Sequence, residues 1–136
     1  MIQRIQSVWL LLAAVAAGLT FKLENYSGIN VKHPILYKIT ASETIPIMLL
    51  TVLVSGLALV TIFLFKNRKL QLRLCVLGIV LEALLIFLYY REVQDYIDGS
   101  FSIWSILHGL IVLFFFMAAR SINSDEKKVK DSDRLR

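Results

Sequence analysis

Lys66-Asn67-Arg68-Lys69, with Arg73 just beyond, places four cations and no anion between two apolar runs, residues 45–65 and 72–90. Long apolar runs partition into hydrocarbon, and short cation-rich connections stay on the cytoplasmic side of a membrane. This stretch therefore predicts both a membrane protein and the direction in which it faces.

Two further apolar blocks, residues 5–21 and 103–119, flank the central pair. The sequence is 57% hydrophobic and 18% charged, against roughly 45–50% apolar and about 25% charged in soluble domains. The excess lies in these blocks and not along the whole chain. The predicted fold class is an all-α membrane protein: residues 1–120 form four antiparallel spanning helices in a bundle, and residues 121–136 a charged cytoplasmic tail. Eleven of fifteen cations fall in the segments placed inside: Arg4, the Lys66–Arg73 group, Arg120 and the tail. Only Lys22, Lys32, Lys38 and Arg91 fall outside, which places both termini in the cytoplasm. The net charge of +5 then reads as topology signal beside anionic lipid, not as a nucleic-acid interface.

The first block is 17 residues long, the lower limit for a span. Its charged start and Ala14-Val15-Ala16 also fit a secretory signal peptide. A retained helix is preferred, because Ala13, Ala14, Ala16, Ala17 and Gly18 lie deep in the block and form small-residue pairs suited to close helix contact. The outer loop 22–44 carries the turn formers Asn25, Ser27, Gly28 and Asn30 between β-prone segments at 21–23 and 35–40, so a short β-hairpin is expected. Ser42, Glu43 and Thr44 with Pro46 start the second helix. The connection 91–102 reads as a short outer loop. Asn123 with Glu126 resembles a capping box opening a short tail helix, supported by the Glu126–Lys130 spacing.

The chain also resembles an uncharacterised bacterial family of small four-span integral membrane proteins, domain of unknown function 4293. The resemblance rests on Met1-Ile2-Gln3-Arg4-Ile5-Gln6 with Leu10-Leu11-Leu12-Ala13-Ala14, on Lys66-Asn67-Arg68-Lys69-Leu70-Gln71, and on Asp125-Glu126-Lys127-Lys128 with Asp133-Arg134-Leu135-Arg136. Members often have an aliphatic residue where Lys128 stands. The resemblance implies four spans and a bacterial inner membrane location, and it supplies no activity. Its motifs lie on the predicted cytoplasmic face, where they suit a partner or a lipid headgroup.

Glu82 is the one carboxylate in the middle of a span. An ionisable side chain there is costly and marks a candidate site. Cys75, Gly78 and Glu82 share a helix face, expected to point inward. Counting from the outer helix ends, Glu82 lies about 12 Å and His108 about 8 Å deep, at about 1.5 Å per residue. They form the expected pair, with Ser55, Thr51 or Ser105 as third members. The pair reads either as a polar clasp between helices or as a proton relay, with the clasp favoured because burial forces pairing in any case.

Enzyme chemistry finds little purchase. One membrane histidine excludes bis-histidine haem, no HExxH is present, and the single cysteine excludes a dithiol couple. His33 stands alone in a loop, and a glycosylation triplet at Asn25-Tyr26-Ser27 carries no weight. The expected function is a non-enzymatic structural or accessory membrane protein without cofactor, its partners the lipid bilayer and other membrane proteins or a second copy. The alternative is a small proton- or ion-coupled transporter using Glu82 and His108.

Overall fold

The computed structural model describes residues 3–136, with side chains from Ile5 onward. Met1 and Ile2 of the first family-like stretch, and the Arg4 side chain, lie outside the described residues. Four helices and a small sheet follow in order: α1 (Gln3–Leu19), β1 (Tyr26–Asn30), β2 (Leu36–Ile39), α2 (Ile45–Phe63), α3 (Arg68–Val93), β3 (Tyr96–Phe101) and, after a 3-10 turn at Ile103–Ser105, α4 (Ile106–Arg134).

Each helix buries one seam and leaves the rest of its apolar surface outside. On α3 the buried residues are Gln71, Cys75, Gly78, Glu82, Leu85 and Tyr89. On α4 they are His108, Ile111, Phe115, Ala118, Ile122 and Asp125. Steps alternating between three and four residues give the 3.5-residue repeat of interlocking helices. The helices close a ring, with α1 and α3 each packed against both α2 and α4. Small residues let α1 approach closely: Ala13, Ala14, Ala16 and Ala17 are buried, whereas Gly18 is exposed and faces open space. The small-residue pairing is thus spent inside the chain.

The surface is unusually greasy. Leu49, Leu53, Val60, Leu77, Val80, Phe87 and Phe116 are among many large apolar side chains left exposed. Soluble proteins rarely carry continuous apolar patches of this extent. Three helical segments, Ile45–Phe63, Arg68–Val93 and Ile103–Arg134, are long and apolar enough to cross a membrane. The segment Ile5–Leu19 is apolar but shorter.

The connections at the sheet end differ from the sequence reading. The expected hairpin exists, but Tyr26–Asn30, read as its turn, is the central strand of a three-stranded antiparallel sheet ordered β2-β1-β3. The third strand comes from the connection read as a plain loop. Tyr26 pairs with Ile39 on one side and Phe101 on the other. A register shift opposite Gly28 accommodates Asp98 and Gly99, with Asp98 at φ 52°, a left-handed conformation that Asp tolerates better than most residues. Gly99 is required there, because a Cβ would lie 1.9 Å from the Tyr26 hydroxyl.

Helix ends differ too. α3 begins at Arg68, so Arg68, Lys69 and Arg73 sit in its opening turns and the true connection is residues 64–67. Asn67 caps it, its side chain accepting from the Leu70 amide at 3.3 Å. Cations at a helix N-terminus oppose the helix dipole, so propensity does not account for them. Thr44 takes the N-cap position of α2 with Pro46 in the first turn, without a side-chain capping bond. α4 runs unbroken to Arg134, and the capping box expected at Asn123 lies within it. Lys130 Nζ donates to Glu126 at 2.9 Å, as the i,i+4 spacing predicts.

Candidate functional site

Glu82 and His108 project from the facing seams of α3 and α4. Glu82 Oε1 and His108 Nδ1 lie 2.6 Å apart and share one hydrogen bond. Both side chains are withdrawn from solvent, at 1% and 8% exposure. The Tyr89 ring, two turns above Glu82 on α3, packs on the imidazole with centroids 4.9 Å apart. Asn25, at the start of the sheet, donates from Nδ2 to the Tyr89 hydroxyl at 3.0 Å. The pair, the aromatic ring and the sheet thus form one polar group at the sheet end of the helices.

The expected third members do not join it. Ser55 Oγ donates to the Ala14 carbonyl at 3.4 Å, a tie between α2 and α1. Thr51 bonds its own helix, donating to the Ile47 carbonyl at 2.8 Å. Ser105 Oγ donates to the Ser102 carbonyl at 2.7 Å and stabilises the turn before α4. Helix hydroxyls commonly satisfy themselves on nearby carbonyls in this way.

Below the pair the packing is apolar. Gly78 lies one turn down α3, and the Phe115 ring of α4 fills the space a Cβ would occupy, 2.6 Å away. Val54, Ala58, Cys75, Ile111, Phe115, Ala118 and Ile122 are all buried in this layer. The next buried polar residue on α3 is Gln71, about 16 Å from Glu82 along the helix at about 1.5 Å per residue.

A second polar group closes the other end. The Gln6 amide of α1 donates to the Asp125 carboxylate of α4. Arg68 Nη1 donates to the Asp125 backbone carbonyl at 3.4 Å. Gln71 Nε2 donates to the Thr61 carbonyl at 3.1 Å, joining α3 to the end of α2. Of the basic group, Arg68 makes this contact, while Lys66, Lys69 and Arg73 are exposed. Lys130, beside Glu126, holds that carboxyl below the usual carboxylate range, with Lys69 and Arg68 adding smaller effects.

Sequence reasoning missed Tyr89, Asn25, Gln6, Gln71 and Asp125. The signal for Gln71, Tyr89 and Asp125 was present, since each continues the alternating three-four seam of its helix. Asn25 carried no such signal, because its place depends on the sheet. Among the described residues, no group of three His, Cys, Asp or Glu side chains is arranged to hold a metal ion.

No curated protein and no solved structure matches the chain. Residues 2–135 match the family model described as Domain of unknown function (DUF4293), and the chain belongs to that family.

Proposed function

We propose that the protein is a four-span component of the bacterial inner membrane, both termini cytoplasmic, with a non-enzymatic accessory role in a membrane assembly. Its apolar outer surface supports the membrane placement. The cations in the opening turns of α3 support the orientation: they oppose the local dipole, and sidedness gives them a reason to be there.

One observation carries the choice of an accessory over a transport role. The layer in which Phe115 packs on Gly78 separates the Glu82–His108 pair from the polar group at Gln71. A relay needs groups or water within hydrogen-bonding reach along its path; the buried residues of α3 and α4 in this layer are apolar apart from the Cys75 thiol, and the Ser55 hydroxyl is turned to the Ala14 carbonyl between α2 and α1. In this reading the pair is a clasp. It satisfies a carboxyl that would be costly alone in hydrocarbon and holds α3 to α4.

The competing reading, a proton- or ion-coupled transporter, draws on the direct Glu82–His108 contact. Vesicles containing the purified protein separate the two. Proton-gradient-dependent flux that vanishes in Glu82→Gln supports transport. Flux at background, with defined membrane proteins or a second copy retained after mild detergent extraction, supports the accessory role.

A further inference from the structure

A cleft of about 260 Å³ opens between α3 and α4 under the sheet, and His108 of the buried pair is among its lining residues. His108, Tyr89, Asn25 and Ser105 form its polar side; Ile86 and the rings of Tyr90 and Phe101 form the rim and are exposed. Two buried atoms of the lining residues lack a hydrogen-bonding partner among the described residues: His108 Nε2 and Asn25 Oδ1. Buried polar groups are overwhelmingly paired, and an unmade bond costs about 1–3 kcal/mol. His108 Nε2, unpartnered in the lining of a cleft, points to a ligand.

Proton bookkeeping on the pair defines the chemistry. Three arrangements carry no net charge, and two of them leave no acid hydrogen without a partner. In one, the Glu82 carboxyl donates to Nδ1 and the neutral ring carries its hydrogen on Nε2. In the other, an imidazolium donates from Nδ1 to the carboxylate and also carries a hydrogen on Nε2. In the third, the carboxyl oxygen accepts from Nδ1–H and the acid hydrogen is left unpaired, and a carboxylate facing a neutral ring buries a net negative charge; low-dielectric surroundings oppose both. In both fully paired neutral forms Nε2 is a donor. The Tyr89 hydroxyl accepts from Asn25, leaving its own hydrogen to give. The cleft lining therefore holds two donors, the pattern that an sp² carbonyl oxygen with two lone pairs accepts. No Asp, Glu, Lys or Arg lines the cleft, so nothing there neutralises a phosphate or an ammonium.

We propose that this cleft binds an uncharged amphiphile through a carbonyl group. The carbonyl accepts from His108 Nε2 and Tyr89, and the apolar body leaves across Ile86, Tyr90 and Phe101 along the exposed helix surface. The volume is just below the roughly 300–1,000 Å³ of sites that enclose a whole drug-sized ligand, which fits a site that takes a head and leaves a tail outside. Two sources present this chemistry at membrane depth: the acyl ester of an uncharged glyceride, and the ring carbonyl of an isoprenoid quinone. The inference rests on the proposed membrane placement only for where the ligand comes from; the site itself is tested in detergent.

The full-length protein, labelled with ¹⁵N-histidine, is titrated in micelles with dioctanoylglycerol, with its ether analogue lacking both carbonyls, and with decylubiquinone. Exposed His33 is the internal reference. The expected result is a saturable shift of the His108 Nε2 resonance by a carbonyl ligand, with His33 and the ether titration unmoved. Saturation at tenfold lower concentration by the glyceride assigns a lipid source, and by decylubiquinone a quinone source; equal response leaves the carbonyl as the shared determinant. Gly109→Leu supplies the blocking variant. Gly109 lines the cleft, a Cβ there meets no atom within 4 Å, and leucine favours the helix more than glycine. The variant should keep the wild-type melting temperature or exceed it and raise the midpoint at least tenfold. An ether analogue as effective as the ester, no His108 response to either carbonyl ligand, or an unchanged midpoint in a folded Gly109→Leu overturns the proposal. A failed flux or extraction assay leaves this result standing.

Discussion

At the scale of single residues, two contacts govern how α3 meets α4, and they work in opposite ways. The Glu82–His108 bond is directional. Glu82→Gln keeps a side chain able to bond Nδ1 and should cost about 0.6–2 kcal/mol, the range of interhelical hydrogen bonds in lipid. His108→Leu leaves the carboxyl without a partner and should cost more, about 1–3 kcal/mol for the unmade bond alone. Reversible unfolding in mixed micelles ranks the two, and equal losses would argue against a clasp. The Gly78–Phe115 contact is steric. Gly78→Ala puts a methyl group 2.6 Å from the ring, so overpacking should destabilise by about 1–3 kcal/mol. Adding Phe115→Leu should restore part of that loss in the same assay. The glutamate was legible in the sequence because a lone carboxylate in a span is conspicuous, and its depth singled out the histidine. Ser55 was misassigned because hydropathy says nothing about azimuth: it follows Val54 of the apolar layer and turns toward Ala14 of α1.

At the scale of elements, hydropathy located the helices but misplaced several ends. It reports where apolar residues stop, whereas helicity continues as long as the seam does. On α4 the apolar block ends near Ala119, yet Ile122 and Asp125 remain buried on the same stripe, and the helix proceeds to Arg134. The third strand was hidden for a different reason. Tyr96-Ile97-Asp98-Gly99-Ser100-Phe101 contains an Asp-Gly pair that signals a turn, and its partner β1 lies far back in the sequence. Only the pairing makes it a strand. Gly99→Ala should therefore disorder β3 while leaving the helices intact. Loss of slow amide exchange at residues 96–101, with unchanged helical circular dichroism, would be the readout; retained protection would show that Tyr26 can move aside.

The end of α4 gives a test in pH. Because the folded carboxyl of Glu126 titrates lower than in an unfolded chain, its contribution is present above the unfolded value and disappears as pH falls through the folded one. Wild type should be more helical than Glu126→Gln near neutrality, and the two should converge in acid. A difference that persists in acid would place the effect elsewhere.

At the scale of the whole molecule, sidedness is the quantity to measure. The single native cysteine, Cys75, is fully buried, so it should stay unreactive in the folded protein and need not be removed. With the proposed orientation, Lys69→Cys should react with an impermeant maleimide only when the cytoplasmic face is opened, and Lys38→Cys only from the opposite face. The reverse pattern would invert the proposed topology, and labelling of both from one side would remove it.

The sheet has one more implication. Its middle strand follows α1, one neighbour leads into α2, and the other joins α3 to α4. Backbone ladders therefore rivet every helix at that end. The opposite end relies on the tight link at residues 64–67 and on a few amide and carboxylate side chains. Tongs held at the pivot move only at the tips: a partner arriving at the Arg68 end could spread the helices by exchanging side-chain bonds for its own, whereas prising them apart beneath the strands would require tearing main-chain pairing first.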